Sequence, residues 1–192
     1  AVIQAVATAI DEELEPEEIA EIAAGIEPTD GIFYPGIVQM NYMTGELIKS
    51  YGNAPKMIIA MFDMGGSINT VEFHSEYHGH EDSPKELLEA IDKLDVDFSP
   101  RQIAHVATLS ALANQKLVPK PHLEEIIKYS ATLGALGVNV AHSGTMVGVL
   151  FAPDESMKHV MEAVEKIREK FPELEYFETE RLISGGYDIE QR

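Results

Sequence analysis

The chain opens on an apolar run, Ala1–Ile10, that reads as a helix already under way, with no Ser, Thr, Asp or Asn cap ahead of it. Pro16 with Glu17 and Glu18 predicts the start of a second helix, carrying Ile19, Ile22, Ala23 and Ile26 on one face. That helix ends at Glu27-Pro-Thr-Asp-Gly31, a cluster of turn formers. Two short alternating runs, Ile37–Tyr42 and Glu46–Tyr51, predict a hairpin around Met43-Thr-Gly45. Lys56–Asp63 is an apolar run of strand length, broken by Gly65-Gly66, and the polar stretch His74–Asp82 reads as a loop. Ser83-Pro84 with Glu86, and Ser99-Pro100 with Gln102, both fit a capping box with Pro at the first helical position. The second of these helices is expected to reach about Leu117. After Pro119-Lys-Pro121 a helix is predicted over Glu124–Leu133, ending near Gly134 and Gly137.

Val138–Val140 and Met146–Phe151 read as strands around the turn Ala141–Thr145, the second one apolar at every position, as in a strand covered on both faces. Asp154 is expected to cap a helix whose Met157, Val160, Met161, Val164 and Ile167 form an apolar stripe, and a last strand is expected over Tyr176–Ile183. From Lys56 onward the order is strand, helices, strand, strand, helix, strand. This split β-α-β pattern predicts an α+β two-layer sandwich of ferredoxin-like type. The division expected is 1–54, two helices and a hairpin, and 55–192, the sandwich.

Composition narrows the function. The 192 residues carry 33 acidic against 14 basic side chains, a net charge of −19, which argues against nucleic acid or an anionic membrane as partner, since phosphate backbones need clustered Lys and Arg. There is no cysteine, so these residues hold no disulfide, thiolate metal site or catalytic thiol. A reducing, cytoplasmic setting is compatible with that. No run reaches the roughly 18 apolar residues of a membrane span.

Four groups of residues can carry chemistry. Glu27 and Asp30 read either as turn residues or as a carboxylate pair, one orienting a hydroxyl and the other a divalent cation. The segment Gly137–Thr145, with Asn139, His142, Ser143 and Gly144, is either a plain strand connection or a loop that brings N–H groups to an anion. Ser110 and Asn114, four apart, share a helix face with Ile103 and Ala107, and need partners if buried. His74, His78 and His80 lack the companion ligands of a metal site and read as a solvated loop.

The segment Leu133–Phe151, containing Asn139-Val-Ala-His-Ser-Gly-Thr145, resembles the third conserved motif of the GHMP small-molecule kinases, in the form typical of their L-threonine kinase branch. Ile26-Glu-Pro-Thr-Asp30, Ala107-Thr-Leu-Ser-Ala111 with Asn114-Gln115, and Leu117-Val-Pro-Lys-Pro121 resemble further segments of that branch, in the same order. The usual glycine-richer third motif is replaced here by Ala-His-Ser-Gly-Thr-Met-Val-Gly. The family's glycine- and serine-rich phosphate loop has no counterpart in these residues, and Ala1–Ile10 resembles the helix that follows that loop.

The resemblance implies a remnant of the kinase N-terminal domain over 1–54 and the kinase C-terminal domain beyond it. It implies ATP and Mg²⁺ as cofactors and L-threonine as the small-molecule substrate, within cobalamin synthesis. Asp30 is then the catalytic carboxylate and Glu27 a metal ligand. Asn139, His142, Ser110 and Asn114 bind substrate, and Ser143, Gly144 and Thr145 line the phosphate side. On the same resemblance this chain alone, lacking the phosphate loop, is expected to be inactive. The alternatives are a GHMP kinase for another alcohol, such as homoserine or mevalonate, and a non-catalytic binding remnant.

Overall fold

The computed structural model describes residues 2–66, 84–95, 97–116, 118–141 and 144–185. Those residues form two compact units, 2–54 with 183–185, and 55–182.

In the first unit α1 (Val2–Ala9) and α2 (Pro16–Ala24) accompany a hairpin of β1 (Ile37–Met40) and β2 (Leu47–Gly52). Glu15 and Glu18 close a reciprocal capping box ahead of α2, with Pro16 at the first turn. The buried face of α2 differs from the expected one. Ile19 and Ala20 are buried with Phe33 and Tyr34, and Ala23 packs against them, whereas Ile22 and Ile26 are exposed. The reason is a close approach. Gly45 sits against the α2 backbone, where an added Cβ would lie 2.6 Å from the Ala20 carbonyl, and the Tyr34 hydroxyl donates to the Gly45 carbonyl at 2.9 Å. Gly45 has φ +79°, so glycine is required there on both steric counts.

The second unit is built on a four-stranded antiparallel sheet in the order β4-β5-β3-β6, with β3 Ile58–Asp63, β4 Gly137–Val140, β5 Met146–Phe151 and β6 Glu175–Arg181. With α5 (Leu123–Thr132) and α6 (Met157–Lys170) on one face, this is the ferredoxin-like α+β sandwich that the element order predicts. The core lies between those helices and the inward residues Ile58, Ala60, Phe62, Val138, Val147, Val149 and Phe151. These follow the period of two that a sheet imposes.

α3 (Lys85–Asp92) starts one residue later than expected, with Pro84 rather than a Ser in the cap position, and Ser83 lies outside the described residues. α4 (Pro100–Asn114) carries the predicted Ser99–Gln102 capping box but stops at Asn114, short of Leu117. It runs beside β4. The Thr108 hydroxyl accepts the Val138 N–H at 2.9 Å, and a methyl at Gly137 would collide with the Ala104 carbonyl. A strand edge that would otherwise be open is thereby satisfied by a helix side chain.

Two details of α6 correct the sequence reading. Its cap is Ser156, which accepts the His159 N–H at 3.1 Å, and Asp154 lies in the preceding turn. Met157 is exposed, and the buried stripe is Val160, Ala163, Val164 and Ile167. α5 ends as expected at Gly134, whose φ of +90° lets the Ala135 N–H return to the Ser130 carbonyl.

Candidate functional site

The candidate residues divide between the units, and each group has its own support. In the first unit, Glu27 is the last residue tied to α2, its N–H bonded to the Ala23 carbonyl at 3.1 Å. The Thr29 N–H donates to the Tyr42 carbonyl at 3.0 Å, so the loop leaving α2 is pinned to the hairpin turn. Glu27 and Asp30 are both exposed. Beyond Asp30, the backbone at Gly31 presses on Met40 and Val38, and a shallow groove is lined by Gly31, Ile32, Tyr34, Ile37 and Val38. Burial, with the charge of Glu17 as the smaller cause, pushes the Tyr34 phenol above its ordinary range.

In the second unit, Ser110 is half-buried and Asn114 buried on α4, and both are engaged by polar interactions. Asn139 is exposed on β4, with its carboxamide lying across Gly148 of β5, where a methyl would collide with the Asn139 Oδ1. Gly144 and Thr145 are half-buried at the start of β5. His142 and Ser143 lie outside the described residues, as do His74, His78 and His80.

Two residues at or near these positions escaped the sequence reading. Asp63 ends β3 beside Thr145. The Thr145 carbonyl accepts the Met64 N–H at 3.1 Å, and the Asp63 carboxylate accepts the Gly65 N–H at 2.9 Å with the Thr145 side chain beside it. The Thr145 side chain foremost, and then the Gly65 hydrogen bond, hold the carboxyl below its usual range. The only signal in the sequence was an Asp just ahead of Gly65-Gly66, whose positive φ values turn the chain at the strand end.

Lys120, between two prolines, is the other. It is only 4% exposed, and among the described residues its Nζ has no hydrogen-bond partner. Its backbone is clamped by Gln115, which accepts the Lys120 N–H at 2.6 Å and donates to the Lys120 carbonyl at 3.0 Å. Burial lowers the pKa of the amine.

Residues 87–170 match the family described as GHMP kinases C terminal, and this stretch is similar to the C-terminal domain of those kinases. The stretch spans α3 to α6, and so includes β4, β5 and every second-unit candidate except Asp63. Over 93% of its length the chain is 22% identical to an L-threonine kinase of Citrobacter freundii, and over 76% it is 24% identical to one of Salmonella typhimurium. It spans 64% and 51% of those proteins. The structural likeness extends beyond the matched stretch. Phosphomevalonate kinase of Streptococcus pneumoniae superposes on 94% of this chain with a TM-score of 0.64, at 11% identity and over 66% of its own length.

Among the described residues no three His, Asp or Glu side chains gather as a metal site, and no helix is long and apolar enough to cross a membrane.

Proposed function

We propose that the protein carrying this chain is a cytoplasmic, ATP-dependent kinase that converts L-threonine to O-phospho-L-threonine in cobalamin synthesis. The similarity to two L-threonine kinases along most of the chain carries this reading. The four branch-like segments from Ile26 to Phe151 support it.

In this reading Asp30 orients the threonine hydroxyl and takes up its proton as the oxygen bonds to phosphorus. Its exposed position on a loop anchored through Thr29 suits a group that must meet a substrate. Asn139 grips the amino-acid end, with its amide braced over Gly148. His142, Ser110 and Asn114 are the other acceptor-side residues. Ser143, Gly144 and Thr145 are assigned to the phosphate side. Mg²⁺ typically keeps several waters and takes one or two carboxylates plus phosphate oxygens, so the lone exposed Glu27 fits as its protein ligand. When bound, Mg²⁺–ATP supplies the transferred phosphoryl group and neutralises its leaving oxygens.

The test is label transfer by the complete gene product from γ-labelled ATP to a panel of threonine, serine, homoserine and mevalonate. Threonine is expected to be labelled in preference. Label on another alcohol and none on threonine would discard the substrate while keeping the kinase.

A further inference from the structure

We infer that Asp63 is the specificity residue of this site, holding the ammonium group of the acceptor amino acid against the open face of the four-stranded sheet. The inference rests on the kinase reading above. Ile58, Ala60 and Phe62 enter the main core, so Ile59, Met61 and Asp63 of β3 point to the opposite face. The register places Met146, Gly148 and Leu150 of β5, and Asn139 of β4, on that same opposite face. α4 covers one end of it, where Ile103, Ala104 and Ala107 pack with Ile59 and Leu150. The other end is a floor with a carboxylate at Asp63, a carboxamide at Asn139 and the half-buried Met61 and Met146 between them, and the β6 register adds the exposed Glu175 and Glu178 beside Asp63 and Met61.

The dimensions suit a small amino acid. Asp63 pairs with Met146, and Asn139 with Gly148, so the two polar residues stand two strands and two positions apart. That is about 12 Å between Cα atoms at ordinary strand spacing.

The chemistry selects a cation. Of the carboxylate's roughly four acceptor positions, one serves the Gly65 N–H among the described residues, with the Thr145 side chain beside it. Among the described residues no Lys, Arg or His charge acts on Asp63. A fixed carboxylate here repels a phosphoryl oxygen and attracts an ammonium group. A hydroxy acid without an amine would leave the anion uncompensated, and is thereby discriminated against.

The experiment compares the complete gene product with its Asp63→Asn variant on L-threonine and on β-hydroxybutyrate, which lacks the amine. Asparagine keeps an acceptor oxygen for the Gly65 N–H, replaces the other oxygen by an NH2 that can donate to the Thr145 hydroxyl, and removes the charge. The wild type is expected to favour threonine by about 30-fold or more in kcat/KM, a comparison that needs no variant. Asp63→Asn is expected to raise the threonine KM by a similar factor, about 30-fold, with kcat within about threefold and β-hydroxybutyrate unaffected. An unchanged threonine KM, or an equal loss on both acceptors, overturns the role of Asp63 and leaves the kinase reading intact. A wild type that prefers acceptors without an amine overturns both readings. If another amine-bearing alcohol is the preferred acceptor and shows the same Asp63→Asn effect, Asp63 keeps its role and threonine is replaced.

Discussion

Replacing Lys120 by Met should make the second unit more stable. The side chain is 96% out of solvent and its amine meets no acceptor among the described residues, so folding strips its hydration without return. An unsatisfied buried polar group costs about 1–3 kcal/mol, and methionine has nearly the same shape without the amine. At roughly 2–4 °C per kcal/mol for a chain of this size, the gain amounts to several degrees in Tm. The gain must also depend on pH. Burial lowers the folded-state pKa below the unfolded value, so between the two the unfolded chain holds a proton that the folded chain lacks. Wild-type stability therefore rises with pH through that window, and the full penalty applies below the folded pKa. The advantage of Lys120→Met should be largest near neutrality and shrink as pH approaches the ordinary lysine value of about 10.4. Urea unfolding of both proteins at a series of pH values, followed by circular dichroism, measures this. A variant less stable by more than about 1 kcal/mol, or a difference that ignores pH, would refute the reasoning by showing that the amine has a compensating partner.

Other substitutions probe the supports of the candidate residues. Gly45→Ala should destabilise the first unit by about 2–4 kcal/mol, because the methyl meets the Ala20 carbonyl at a positive φ; thermal melts read this. Thr108→Val removes the acceptor of the Val138 N–H at the β4 edge and should cost about 1–3 kcal/mol in urea unfolding. Gly148→Ala displaces the Asn139 carboxamide and should raise the acceptor KM by about tenfold in steady-state kinetics, with ATP affinity unchanged. Asp30→Asn should lower kcat by about 100-fold or more without weakening ATP binding, and an unchanged kcat would remove it as the base.

The sandwich was legible because its elements carry local signals. The Ser99 capping box, the glycine at 134 and the unbroken apolar run of β5 each have a short-range cause, and the element order then restricts the topology. What escaped depends on through-space packing. Isoleucine outranks alanine in hydrophobicity, so Ile22 and Ile26 were expected inside. Contact with Gly45 instead selects the face of α2 that carries Ala20. Ser156 and Asp154 are both good caps, and only the backbone path decides between them. Nothing local in Pro119-Lys-Pro121 signals that Lys120 is buried, and only the fold encloses it. Asp63 acquires its meaning from Thr145, a partner far along the chain that only the antiparallel pairing of β3 and β5 brings close.

The most direct measurement is the identity of the phosphorylated product. Mass spectrometry of a reaction of the complete gene product with ATP, Mg²⁺ and an equimolar mixture of amino-acid and non-amino-acid alcohols should show O-phospho-L-threonine accumulating as ADP forms. ADP formation matched by phosphorylation of an acceptor that lacks an amine, with threonine unmodified, would contradict the account.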